Sequence, residues 1–151
     1  MKVLVVRIKK GEVAVAKKAV AFVGKGLAVF VGIEKGDDHL ILNNMAEKVA
    51  NVRVFEGQDG KMNYSVKDKG YQILCVPNFT LCADTKSGRR PSFAHAMPYE
   101  QASKLFDNFI KMLSARDVAV ESGLFGTYMD IKLDLDGPVN IILESDKGDK
   151  G

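Results

Sequence analysis

Residues 27–33, LAVFVGI, are the longest apolar run of the chain, and an almost continuous apolar stretch of this length is expected of a β-strand covered on both faces. It is far short of the roughly 20 residues that a membrane-spanning helix needs. Gly24-Lys25-Gly26 punctuates the sequence just before it. Upstream, residues 2–9 and 12–16 are rich in Val and Ile and are separated by Lys10-Gly11, which predicts two tightly joined strands. Lys17-Lys18 then breaks to a third strand over residues 19–23.

Downstream of the run the period changes. Leu42, Met45, Val49 and Val52 fall three and four apart, which predicts a helix with Asp37 or Asp38 as its N-cap. Residues 53–56 read as a short strand, Gln58-Asp59-Gly60 as a turn, and residues 71–79 as a strand that runs into a polar loop. Residues 83–98 hold the densest cluster of turn formers, charges and prolines. Pro98 at the first helical position opens the best amphipathic segment, with Ala102, Leu105, Phe106, Phe109, Ile110 and Leu113 on one stripe. Residues 118–121, 126–135 and 139–144 are extended, with Asp136-Gly137-Pro138 between the last two. About eight strands and two substantial helices give a mixed α/β domain with a mainly β core, its helices covering one face.

The 151 residues suit one domain, taken as residues 1–144, with a flexible polar tail over 145–151. With 46% hydrophobic and 27% charged residues, disordered, collagen-like and coiled-coil chains are excluded. The N-terminus lacks a secretory pattern, so the expected compartment is the cytoplasm. Cys75, Cys82, His39 and His95 share no metal-ligand spacing, so no metal is expected and the thiols read as reduced.

The net charge of +3 is uneven. Residues 1–35 carry eight Lys/Arg against Glu12 and Glu34, a balance of +6, and the rest of the chain is acidic by 3. Lys9, Lys10, Lys17, Lys18 and Lys25 could form a basic rim, and Lys86, Arg89 and Arg90 a second basic loop, which together would suit RNA. The same lysines would also serve simply to solvate strand ends, and a pI of 8.8 favours that reading.

Three loop segments could carry chemistry. In Pro77-Asn78-Phe79-Thr80-Leu81, Thr80 has no base nearby in sequence and is a poor nucleophile, whereas backbone N–H groups at a strand end can stabilise an oxyanion. In Gly88-Arg89-Arg90-Pro91-Ser92-Phe93, paired arginines suit phosphate or carboxylate, though a solvated loop or a subunit contact would use them equally. In Asp136-Gly137-Pro138-Val139-Asn140, a cis X-Pro bond would turn two successive carbonyls toward one ligand amine.

With these segments in hand, residues 1–144 closely resemble the D-aminoacyl-tRNA deacylases, also called D-tyrosyl-tRNA deacylases. The matching features are Val6-Arg7-Ile8, Phe79-Thr80-Leu81, Gly88 to Phe93, Gly123-Leu124-Phe125-Gly126 with Met129, and Gly137-Pro138-Val139. The resemblance implies a three-layer fold with antiparallel hairpins and a barrel-like sheet. It implies a cofactor-free homodimer that hydrolyses the ester between a D-amino acid and the tRNA 3′ end, with active sites at the subunit interface and no membrane or DNA partner. A cis Gly137-Pro138 would enter the opposite subunit's site, hold the substrate amine and exclude L side chains, while glycine would escape the sieve. Arg7 would brace that turn, and the backbone N–H groups around Asn78 and Phe79 would stabilise the oxyanion. Thr80 and Met129 would line the pocket, with Pro77, Phe125 and Val139 also touching substrate. The family pattern Ser-Gln before Phe-Thr-Leu is here Pro77-Asn78, and Thr after Gly-Pro-Val is here Asn140. These departures leave room for a homologue that edits another mischarged tRNA, and the charge pattern for a noncatalytic RNA-binding module.

Overall fold

The computed structural model describes residues 1–145. Its strands are β1 (Lys2–Val15), β2 (Lys18–Val23), β3 (Gly26–Gly32), β4 (Phe55–Glu56), β5 (Met62–Tyr64), β6 (Gln72–Pro77), β7 (Ala119–Ser122) and β8 (Asp130–Glu144). Its helices are α1 (His39–Asn51), α2 (Val66–Lys69) and α3 (Tyr99–Ser114), with a 3-10 turn at Phe79–Cys82. The main sheet runs β2-β1-β3-β6-β7, and β8 lies along the other edge of β1.

β3 is buried on both faces, as its apolar run predicts. On one face, Leu27, Val29 and Val31 join Val3 and Val5 of β1, Ile73 and Cys75 of β6, and the apolar stripes of α1 and α3. On the other face, Ala28 joins Val6, Ile8, Val13, Val23, Leu74 and Val76 inside a nearly closed barrel. β2 leans on β6 and β7 to complete that barrel. The helices therefore cover one side of a sheet whose other side curls round a second core. β3, β6 and β7 are parallel, and parallel neighbours need long crossovers. α1 lies in the first crossover and α3 in the second.

Three expected boundaries change. The turn at Lys10-Gly11 is absent, because β1 is one strand whose inner half pairs with β3 and whose outer half pairs with β2. Gly11 serves packing instead: a Cβ there would sit 3.0 Å from Leu74 and 3.1 Å from Leu133 inside the barrel. The reversal comes at Ala16-Lys17, both at positive φ (49° and 65°), a two-residue hairpin turn of the primed kind. Pro98 is the N-cap of α3 rather than its first residue. β8 is one strand, but its register against β1 jumps from Leu135 opposite Ile8 to Asn140 opposite Val6, so Asp136 to Val139 stand out of the ladder.

Asp38 caps α1 by accepting from the Ile41 N–H at 3.0 Å, whereas Asp37 accepts from the Met1 ammonium at 2.7 Å. Ser145, expected in the tail, also accepts from that ammonium at 2.7 Å. Residues 146–151 of the expected tail lie outside the described residues. α2, its Ser65–Asp68 capping box and β5 have no period long enough to be read from sequence. No helix among the described residues is long and apolar enough to cross a membrane.

Candidate active site

β6 ends at Pro77, opposite Val31 of β3. Parallel pairing continues one residue further through the backbone, since the Asn78 N–H donates to the Val31 carbonyl at 2.8 Å. The chain then tightens into the 3-10 turn. Gly32 permits this approach, because a Cβ there would meet Cys82 Sγ at 2.9 Å and the Asn78 carbonyl at 3.1 Å. The first N–H groups of a helical turn have no partner within it. Those of Phe79 and Thr80 make no hydrogen bond among the described residues and open the turn as a pair of free donors.

This corrects one expectation. The Asn78 N–H, assigned with Phe79 to the oxyanion, is spent on the sheet. The Thr80 N–H, not that of Asn78, is the donor left free beside Phe79. The Thr80 hydroxyl donates to Asn78 Oδ1, which ties the two side chains to one another and leaves Thr80 with no base.

Around these donors lies a groove of about 600 Å³. Pro77, Asn78, Phe79 and Thr80 form one wall, and Phe125 to Met129 another. Ala96, Met97 and the first turn of α3 add a third. Gly123 holds the second wall close to β6, its N–H donating to the Cys75 carbonyl at 3.0 Å, and a Cβ there would lie 2.6 Å from Met129 Sδ. Gly126, at φ +73°, packs on the Tyr99 ring. Tyr99 meets Phe125 edge-on at 5.2 Å, and Phe125 meets Phe106 of the core at 5.9 Å. The third wall is pinned to the end of β3 by Lys35 N–H to His95 carbonyl (2.9 Å) and Met97 N–H to Ile33 carbonyl (3.0 Å).

Among the described residues, no Asp, Glu, His, Cys, Lys or Arg lines this groove. Burial pushes the Cys82 thiol up to about 11 and raises Cys75 as well, so neither is an available thiolate. No cluster of metal-binding side chains occurs among the described residues. What the groove can supply is backbone hydrogen-bond donation, shape and an apolar floor.

Arg7, Gly137 and Pro138 come together away from this groove. Arg7 Nε donates to the Asp136 carbonyl at 3.1 Å and Nη1 to the Val54 carbonyl at 2.6 Å, with Asp136 Oδ2 3.4 Å from Nε. The Gly137-Pro138 peptide is cis, and both residues are exposed. Val139, expected at the substrate, is half-buried against the helix-side core.

Lys86, Arg89 and Arg90 are exposed on a hairpin closed by two backbone bonds between Asp84 and Ser92, at 2.8 and 2.9 Å. The backbone N–H of Lys86, donated at 2.9 Å, holds the Asp84 carboxyl below its ordinary range, with Lys86 and His95 nearby adding to the effect. Phe93, just past the hairpin, packs edge-on against Phe79 at 5.0 Å and joins this basic segment to the groove. The other basic rim is interleaved with acids, since β8 lays Asp134 opposite Lys10 and Lys132 opposite Glu12.

Sequence reading missed Tyr99, Met97, Ala102, Thr127 and Tyr128 as lining residues. The spaced glycines Gly123 and Gly126 were the available signal that a close-packed wall begins there.

The family model described as D-Tyr-tRNA(Tyr) deacylase matches residues 4–144. The chain belongs to the D-aminoacyl-tRNA deacylase family. It is 45% identical to the D-aminoacyl-tRNA deacylase of Carboxydothermus hydrogenoformans, over 95% of this chain and 99% of that one. It is 44% identical to the Kosmotoga olearia enzyme of the same name, over 97% and 99%. Among solved structures, a c-Myc DNA unwinding element binding protein superposes with a TM-score of 0.91 at 39% identity, covering 97% of this chain and 99% of its own. A probable eukaryotic D-amino acid tRNA deacylase shares the fold at a TM-score of 0.80 and 19% identity, covering 94% and 97%. The mixed, mainly β, barrel-like fold expected from sequence is the fold of this family.

Proposed function

We propose that the protein hydrolyses the ester between a D-amino acid and the 3′-terminal nucleoside of tRNA, as a homodimer in which each subunit's Gly137–Pro138 turn closes the other's groove. The observation that carries this reading is a division of parts. Phe79 and Thr80, whose N–H groups have no partner among the described residues, line one largely apolar groove, while the Arg7-braced turn stands exposed elsewhere on the same chain. A second copy supplies the missing half.

An aminoacyl ester is already activated, so positioning plus two preorganised donors at the developing oxyanion suffice without a strong base. The 2′-hydroxyl of the terminal adenosine assists, in keeping with a groove that is lined by no carboxylate, imidazole or amine among the described residues. The carbonyls of the partner subunit's Gly137 and Pro138 accept from the substrate ammonium and leave room for hydrogen, not a side chain, on the L side. Main chain suits this rejection because it cannot rotate aside. Glycine passes the same sieve, so glycyl-tRNA is a substrate. Lys86, Arg89 and Arg90 face the tRNA phosphates, and the reaction belongs to the cytoplasm, where tRNA is charged.

Incubation with D-tyrosyl-, L-tyrosyl- and glycyl-tRNA tests this. The D and glycyl esters are cleared over many turnovers, and the L ester decays at its buffer rate. Equal loss of D and L, or no loss beyond buffer, overturns the proposal. Pro77, Asn78 and Asn140 favour a second reading, a homologue that edits a different mischarged tRNA. A panel of mischarged tRNAs in which another ester is cleared faster than D-tyrosyl-tRNA would select it.

A further inference from the structure

Tyr128 lines the mouth of the groove yet is 88% exposed, the most exposed large side chain of the apolar and aromatic set. A lone exposed ring is ordinary on a protein surface, and what sets Tyr128 apart is its place among the residues that line the groove. Its backbone is well held. The Thr127 hydroxyl donates to the Leu124 carbonyl at 2.9 Å, and Gly126 packs on Tyr99, which reaches the core through Phe125 and Phe106. The ring itself meets no other aromatic ring among the described residues. It is an anchored π-face that its own chain leaves open.

A second wall of the same groove carries Phe79, packed on Phe93 beside the hairpin of Lys86, Arg89 and Arg90. A ligand crossing the mouth therefore meets cations and an aromatic face together, the pair of features by which proteins hold single-stranded nucleic acid. We propose that Tyr128 is a stacking platform for the unpaired base immediately upstream of the ester-bearing nucleotide, so that the 3′ end is gripped by two bases. This rests on the deacylase reading in one respect, that the terminal nucleoside fills the groove and leaves the mouth to its neighbour.

The test uses full-length protein and uncharged probes, so its readout needs no hydrolysis. Affinities for adenosine and for the oligoribonucleotide 5′-ACCA-3′ are compared by titration calorimetry in wild type, Tyr128→Ala and Tyr128→Phe, with oligomeric mass measured alongside. Wild type binds the oligonucleotide about tenfold tighter than adenosine, Tyr128→Phe keeps that ratio, and Tyr128→Ala reduces it to about twofold at unchanged oligomeric mass. A wild type with no such ratio, an unaltered ratio in Tyr128→Ala, or a change of oligomeric mass confined to Tyr128→Ala overturns the platform. Wild type that shows the ratio but leaves D-aminoacyl-tRNA intact rejects the deacylase reading and keeps the platform. Active wild type without the ratio does the reverse.

Discussion

The Arg7 guanidinium donates to the Asp136 carbonyl at 3.1 Å, fixing the stem of a turn that the β1–β8 ladder has released. The same group donates to the Val54 carbonyl at 2.6 Å, so one nearly buried side chain ties the turn to the segment that follows α1. Lysine has no planar fork with which to reach both carbonyls. Arg7→Lys is therefore expected to cost about 1–3 kcal/mol in urea unfolding and to lower kcat/KM for D-tyrosyl-tRNA about tenfold or more.

Gly137 sits at φ +135°, where a Cβ would lie 2.8 Å from the Val139 nitrogen and 3.4 Å from Arg7 Nη2. An L side chain there is strained and pushes against the brace. Gly137→Val is expected to abolish deacylation with a fold intact by far-UV circular dichroism, because Gly137 itself is exposed and belongs to neither core.

The 3-10 turn offers a clean probe of the oxyanion donors. Proline is tolerated at the first position of a helical turn and removes only its N–H. Compared with Phe79→Ala, which also loses the ring packed on Phe93 but keeps the N–H, Phe79→Pro is expected to lower kcat by a further factor of about 10²–10³ at similar stability. Thr80→Ala keeps the backbone donor and is expected to retain activity within about threefold, whereas loss of a true nucleophile costs several powers of ten. A collapse of activity in Thr80→Ala would restore a hydroxyl attacker.

The pH dependence follows from what lines the groove. With no carboxylate or imidazole lining it among the described residues, kcat/KM is expected to show no bell from protein groups between about pH 6 and 8, only the titration of the substrate amine, and His95→Gln leaves the profile unaltered. Asp84 is the group to watch at low pH. Its carboxyl is held below the ordinary value of 3.8 chiefly by the Lys86 N–H, so its contribution is present above that value and is lost as pH falls through the lowered one. Hydrogen exchange at Lys86 is expected to accelerate only below about pH 4 and to stay protected at pH 5.

Asp37 is almost wholly buried and accepts from the buried Met1 ammonium at 2.7 Å and from the Glu34 N–H at 2.6 Å. Glu34 Oε2 also stands 3.1 Å from that ammonium, so neutralising Asp37 leaves it one carboxylate partner in place of two. Asp37→Asn is expected to lower stability by about 1–3 kcal/mol, read from the urea midpoint at unchanged m-value.

The double burial of β3, the α1 period and the α3 stripe were legible because each is a repeat of side-chain polarity. Lys10-Gly11 was misread because glycine marks a turn and a tight packing contact with the same letter, and only the barrel interior tells them apart. Pro77 to Thr80 were legible as a strand end, but the loss of the Asn78 N–H to Val31 depends on parallel register, which no local pattern encodes. Tyr99 and Tyr128 were silent for a related reason. One stands at the head of a helix whose stripe reads as core and the other in a glycine-spaced loop, and the groove exists only once β6, α3 and that loop meet.

The most direct test of the account is a mixed-dimer experiment with Phe79→Pro, whose groove is disabled, and Gly137→Val, whose turn is disabled. Each variant alone is inactive on D-tyrosyl-tRNA. Unfolded and refolded together at equal amounts, they are expected to recover about a quarter of wild-type activity, because each mixed dimer joins one intact groove to one intact partner turn. A mixture as inactive as its components would place groove and turn in the same chain and contradict the shared site.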